Sequence, residues 1–175
     1  MESIKDKVAI VGMGCTQFGE LWDKDQDDLI VEAAYEALDD AGIELKDIQA
    51  AWAGTAGGVS GACIADPLKL QYLPVTRVEN ACATAYEAIR GAAYALAAKV
   101  YDLVLVVGFE KLKDVGFGGL GPVSSEKWHP TYGYGGTAPG RYALAATRYF
   151  HRYGLSREEG KLTLAAVSSS TSMMT

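Results

Sequence analysis

The run Leu103-Val104-Leu105-Val106-Val107-Gly108 has no polar side chain from end to end. A strand with one face in water alternates apolar and polar residues. An unbroken apolar run of this length therefore predicts a strand covered on both faces, as in a parallel sheet between layers of helix. Other segments fit the same layering. Val8-Ala9-Ile10-Val11-Gly12 is short, rich in β-branched residues and stopped by glycine, which predicts a first buried strand; Ala50-Ala51-Trp52-Ala53-Gly54 and Val75-Thr76-Arg77-Val78-Glu79 predict two more. Helical patterns lie between them. Asp27 or Asp28 is placed to cap a helix whose stripe is Leu29, Ile30, Ala33, Ala34, Ala37, Leu38 and Ala41, with Gly42 as its stop. Residues 83–98 are mostly alanine with Ile89, Gly91 and Leu96, the composition of a helix packed tightly on several sides. This alternation predicts right-handed crossovers and an α/β fold with a mainly parallel sheet.

The remaining segments are less regular. Gly57-Gly58-Val59-Ser60-Gly61 reads as a loop, and residues 67–73 as a short amphipathic piece. Residues 115–140 hold many glycines with Trp128, His129, Pro130, Tyr132 and Tyr134 but show no period; so long an irregular stretch with aromatics predicts an ordered, functional loop. Helical character returns at 141–153, ends at Gly154 and restarts behind the capping pair Ser156 and Glu159. The polar residues 168–175 carry no stop signal and read as a cut edge. No internal repeat is visible.

Composition narrows the function classes. A chain of 175 residues, 49% of them apolar, falls within one domain able to bury a core. No basic start followed by an apolar run stands at the N-terminus, and no segment reaches membrane-span length, which predicts a soluble, cytoplasmic protein with no membrane partner. Three cysteines at wide, irregular spacing argue against a disulfide framework and against a metal site, leaving free thiols. The net charge of -6, with Lys and Arg scattered, argues against a nucleic-acid partner. It does not bar an anionic ligand held by a few local groups.

Chemistry concentrates at Val78-Glu79-Asn80-Ala81-Cys82-Ala83-Thr84-Ala85, where a strand hands over to the small-residue helix. A helix N-terminus carries about half a positive charge and unpaired N–H groups, so it favours a thiolate and offers donors to an oxyanion. The flanking alanines leave room for a substrate arm. Magnitude shows what is lacking. Lowering a thiol's pKa from about 8.5 by about two units takes about 2.7 kcal/mol, whereas a helix end supplies about 0.3–1 and at best about 2. A further group must help. The histidines are His129, in the irregular stretch, and His151, near the end of the 141–153 helix, and neither is placed beside Cys82 by the sequence.

Each candidate has a bland counterpart. A cysteine at a tight joint is often a small buried hydrophobe, and the junction alone makes that reading and the nucleophile comparable for Cys82. Cys15, after a strand end, and Cys63, in a loop, read as inert. His151 reads as a helix-surface residue, while His129 divides evenly between touching ligand and packing a loop. Gly12-Met13-Gly14 resembles the start of a dinucleotide fingerprint, without the third glycine or the helix directly behind it. Glu158-Glu159 is explained by a helix's first turn.

Three stretches carry a resemblance to a known family: residues 8–12 leading to Thr16-Gln17-Phe18-Gly19, the segment Val78 to Thr84 around Cys82, and Val106-Val107-Gly108-Phe109-Glu110-Lys111. Together with the glycines up to Gly140 and Arg141-Tyr142-Ala143-Leu144, they resemble the N-terminal half of a thiolase of the sterol-carrier-protein type, from the first strand to about Val167. The resemblance implies an α/β, thiolase-like N-terminal half over residues 1–175, an incomplete fold truncated at its C-terminal end. Its sheet would be mainly parallel or mixed and covered by helices, with a loop excursion at about 115–140. It implies that Cys82 is acylated by a 3-oxoacyl-CoA and passes the acyl group to coenzyme A, the reverse being Claisen condensation. Coenzyme A is then a substrate, with no tightly bound cofactor. It also implies a homodimer with the strand before Cys82 near its mate, and for some members a small OB-fold, zinc-ribbon partner subunit. Such enzymes take activating histidines and a second cysteine from a C-terminal half, and no Gly-His-Pro or Cys-x-Gly motif follows Cys82 here. The chain alone is therefore expected to be inactive. The rival readings are a related condensing enzyme of the ketoacyl or hydroxymethylglutaryl-CoA synthase type, a retro-aldolase of similar fold, against which Cys82 counts, and a non-catalytic interaction module.

Overall fold

The structure, a computed structural model, describes residues 3–112, 114 and 138–162. The expected loop at 115–140, with Trp128 and His129, falls almost wholly outside the described residues, as does the polar stretch 168–175. The chain divides into two compact units, Met1–Gly119 and Leu120–Thr175.

The first unit is built on three parallel strands, β1 (Ala50–Gly54), β2 (Val75–Val78) and β3 (Val104–Gly108), in the order β2-β1-β3. Trp52 of β1 stands opposite Thr76 on one side and Val106 on the other. The three strands fall where the apolar runs predicted them, and alternate residues serve opposite faces. Ala51, Ala53, Leu105 and Val107 share one buried cluster with Ile30, Ala34 and Leu38 of helix α1 (Gln26–Ala41), together with Ile48, Ile64 and Leu68. A sheet thus covered on two faces explains why β3 carries no polar residue.

The opposite face takes helix α3 (Thr84–Ala97), which buries Thr84, Ala88 and Ala92. Its small residues set a close approach. A Cβ on Gly54 would lie 3.3 Å from the Thr84 methyl and 3.5 Å from the Ala88 Cβ, and one on Gly91 would lie 2.9 Å from the Trp52 indole nitrogen. Helix and sheet meet with no room for a further carbon.

The predicted first helix is present with a different cap. Asp25, in extended conformation, accepts from the Asp28 N–H while the Asp28 side chain accepts from the Asp25 N–H, a reciprocal box that begins the helix before Asp27. Gly42 closes it at φ 67°, in the left-handed region that glycine enters without steric cost. The amphipathic piece expected at 67–73 is displaced upstream: the helical turn is α2 (Ala62–Ala65), with Leu68 buried just behind it.

Residues 8–12 form no strand. The segment instead crosses α1 at contact distance, because Gly12 and Gly14 have no side chains; a Cβ on them would fall 2.3 Å from the Ala37 carbonyl oxygen and 2.1 Å from that of Ala33. Just beyond it, carboxylates on α1 hold the backbone in place: Met13 N–H donates to Asp40 at 2.9 Å and Cys15 N–H to Glu36 at 2.8 Å. Ile10, Val11 and Met13 are left exposed. The two glycines thus serve packing and do not form a nucleotide loop.

Farther on, Lys111 and Asp114 pair with side chains only 5% and 9% exposed, and both hold the backbone of Leu21, whose carbonyl accepts from Lys111 Nζ at 2.7 Å and whose N–H donates to Asp114 at 3.1 Å. The Lys111 hydrogen bond holds the Asp114 carboxyl below its ordinary value. In the second unit, α4 (Ala138–Tyr153) ends at Gly154, φ 66°, and the helical segment 157–162 starts behind the predicted box, in which Ser156 N–H donates to Glu159 at 2.8 Å and Glu159 N–H to Ser156 Oγ at 3.3 Å. Among the described residues, no helix is long and apolar enough to cross a membrane.

Two outcomes follow from this packing. Gly91→Ala gains about 1 kcal/mol of helix propensity but overfills the Trp52 contact at a cost of about 1–3 kcal/mol, so the net is a loss of about 1 kcal/mol in urea unfolding; a gain would mean that α3 has slack. A carboxyl whose pKa is lowered by folding contributes stability above its unfolded value of about 3.9, lost as pH falls through the folded value. The Leu21 amide should therefore lose hydrogen-exchange protection, corrected for intrinsic rate, as pH drops below about 4, and lose it at neutral pH in Asp114→Asn. Protection unchanged in that variant would dismiss the clasp.

Candidate functional site

Parallel strands deliver all their C-terminal ends to one edge of the sheet, which is where ligands meet open α/β sheets. Here that edge carries the loop after β1 from Thr55, the turn after β2 at residues 79–83, and the residues after β3 from Phe109. Long-range hydrogen bonds tie these segments together. Thr55, buried, donates from Oγ1 to Glu110 at 3.1 Å and accepts from the Gly57 N–H at 3.0 Å. The Ala56 N–H donates to the same Glu110 oxygen. Arg77, from β2, donates to the carbonyls of Gly57, Thr55 and Ala56 at 3.0, 2.9 and 3.1 Å. Glu110 and Arg77 therefore brace the β1 loop from either side. A charged partner makes each such bond about twice as strong as a neutral one.

The turn after β2 places Cys82 in a 3₁₀ turn, Ala81–Ala83, directly ahead of α3, with its side chain exposed. This is the strand-to-helix joint that the sequence predicted. The turn is strained: Ala81 sits at φ 47°, a left-handed conformation that costs a residue with a Cβ about 1–3 kcal/mol. The N-cap of α3 is Ala83, which has no capping side chain. The turn is held instead by its neighbours. Glu79 accepts from the Ala81 N–H at 2.6 Å, while Thr84 Oγ1 accepts from the Asn80 N–H at 2.8 Å and donates to the Ala81 carbonyl at 2.7 Å. Each such bond is worth about 0.5–1.5 kcal/mol net, so together they match the strain.

The other thiols are differently placed. Cys15 is exposed on the segment that crosses α1, and its Sγ donates to the Thr16 carbonyl at 3.3 Å. Cys63 is half-buried against Gly58, and burial pushes its thiol up, with Arg77 opposing. A raised thiol is the less reactive form at neutral pH. His151 lies exposed in the last turn of α4, on the helix surface where the sequence put it. His129 lies outside the described residues. Glu158 pairs with Lys161, and Glu159 belongs to the Ser156 box, whose hydroxyl holds its carboxyl below the ordinary value. Among the described residues, no three His, Cys, Asp or Glu side chains converge to hold a metal ion.

Sequence reasoning missed Thr55, Arg77 and Glu110 as a group. Arg77 inside the short strand Val75–Val78 was the available signal, since a charge there needs partners.

Comparison with known proteins agrees with the resemblance. The family described as "Thiolase, N-terminal domain" matches residues 8–172. An acetyl-CoA acetyltransferase of Methanocaldococcus jannaschii is 41% identical over 161 residues, 87% of this chain and 41% of that protein. Human sterol carrier protein 2 is 31% identical over 170 residues, 87% of this chain and 30% of that protein. Among solved structures, an Ltp2-ChsH2(DUF35) aldolase superposes with a TM-score of 0.64 at 27% identity, covering 83% of this chain and 38% of that one. The chain thus spans about two-fifths or less of the length of these relatives. Its three parallel strands, its helix layers and the match over residues 8–172 agree: this chain belongs to the thiolase family.

Proposed function

We propose that this chain is an N-terminal, thiolase-like portion of an acyltransferase, with Cys82 as its acyl carrier. The observation that carries the reading is the exposed thiol on a strained, hydrogen-bonded turn at the start of α3, in a chain of the thiolase family. Cys82 gives its thiol proton to a base, and its sulfur attacks the 3-oxo carbon of a 3-oxoacyl-CoA and forms the C–S bond. The bond between carbons 2 and 3 then breaks, its electron pair stays on carbon 2, and a proton delivered there releases acetyl-CoA. The thiol of a second coenzyme A gives up its proton and takes the acyl group from Cys82, restoring the enzyme. Claisen condensation is the reverse.

The reaction needs an acid and a base to move these protons. The N–H groups at the start of α3 supply partial positive charge but no proton relay. In this reading the relay comes from a C-terminal half beyond these residues, and the chain alone does not turn over. A homodimer, a cytoplasmic location and a small OB-fold, zinc-ribbon partner belong to the same reading; the DUF35 component named in the aldolase neighbour favours a small partner subunit.

That neighbour also supports a second reading, carbon–carbon cleavage of the aldolase type, which needs no acyl thioester. One experiment separates the two. Incubation with acetoacetyl-CoA should leave a covalent acyl adduct in the intact mass of the wild-type protein, on the chain alone or with a supplied C-terminal half, and none in Cys82→Ser. Equal labelling of both proteins would defeat the assignment, and clear Cys82-dependent thiolysis by the chain alone would defeat its need for a second half.

A further inference from the structure

The turn that carries Cys82 has a strained residue on one side and an uncapped helix on the other, yet it must hold one geometry if its thiol is to meet a substrate carbon repeatedly. Thr84 is the side chain that links both to the core. It is 9% exposed, and its methyl lies 3.3 Å from where a Gly54 Cβ would stand, so the residue is seated on the end of β1. Its hydroxyl faces the other way. Within 2.8 Å it accepts the Asn80 N–H and donates to the Ala81 carbonyl, so one oxygen spans the residue before the strained position and the strained residue itself. The backbone N–H of Thr84 also donates to the Ala81 carbonyl. Cys82 lies between these anchor points, with its side chain free and its backbone fixed at both ends.

We infer that Thr84 is a positioning residue for Cys82, acting through its hydroxyl rather than through its packing. The inference rests on the reading of Cys82 as acyl carrier. Its physical content is separable, because the two halves of the threonine side chain can be removed one at a time. Thr84→Ser keeps the hydroxyl and loses the methyl over Gly54; Thr84→Val keeps the methyl and loses both hydrogen bonds. A packing role would spare valine and penalise serine. A positioning role does the opposite.

The measurement is the rate at which Cys82 is acylated by acetoacetyl-CoA, in the full chain with the supplied C-terminal half, read peptide by peptide by mass spectrometry. Alkylation by iodoacetamide and the thermal midpoint are followed in parallel. Thr84→Val should slow both reactions of Cys82 by about tenfold, which is about 1.4 kcal/mol, while Thr84→Ser stays within about threefold of wild type. Adding Ala81→Gly to Thr84→Val should recover most of the rate, because glycine adopts the left-handed conformation without the hydroxyl to enforce it. If Thr84→Val does not fold, Thr84→Ser and the double variant decide. Valine as fast as wild type, serine as slow as valine, or no recovery with glycine would each overturn the inference. Absence of any acyl group on wild-type Cys82 would defeat the acyl-transfer reading instead, and the alkylation rates would still judge Thr84.

Discussion

The contact between α3 and the sheet is the constraint on which the rest of the first unit depends. Gly54, Ala88 and Gly91 let the helix backbone come as near to β1 as side chains allow, and Trp52 fills the space beside Gly91. The same helix begins soon after β2 ends. Only residues 79–83 are left to turn the chain, and so short a turn is bought with a left-handed alanine. The exposed thiol, the strained alanine before it and the threonine that spans the turn thus sit at the end of a helix held close to the sheet.

The charged groups at the same edge do a different task. Through Nε and Nη2 of Arg77 and Oε1 of Glu110, both side chains hold residues 55–57, and so they fix a loop. The exposed turn beside them carries the thiol of Cys82. In the proposed reading the division of labour is clear: this portion of a thiolase supplies the nucleophile and a rigid seat, and proton transfer is left to other residues.

Much of this was legible in the sequence because it depends on neighbours in the chain. The unbroken apolar run of β3, the alanine-rich α3, Gly42 as a stop and the Ser156–Glu159 box all declare themselves within a few residues, and each lies where it was expected. The segment around Cys82 was legible as a family signature as well as a joint. What failed was mostly what depends on distant partners. Residues 8–12 have a strand's composition, but Asp40 and Glu36, over twenty residues away, take the amides of Met13 and Cys15, and two glycines let the backbone rest on α1. The cap of α1 moved to Asp25 because the box needs Asp28 as its second member, a choice that spacing alone left open. Thr55 and Glu110, 55 positions apart, could be joined only by the fold.

In the proposed reading, position on the α3 turn, and not mere exposure, makes a thiol the acyl carrier. Cys15 provides the internal control, since it is exposed too but lies on the segment crossing α1. The most direct measurement is a peptide map of the protein, supplied with a thiolase C-terminal half and quenched after brief exposure to a 3-oxoacyl-CoA. The account predicts the acyl group on the peptide containing Cys82 and on neither Cys15 nor Cys63. Acylation of Cys15 to the same extent as Cys82 would contradict it.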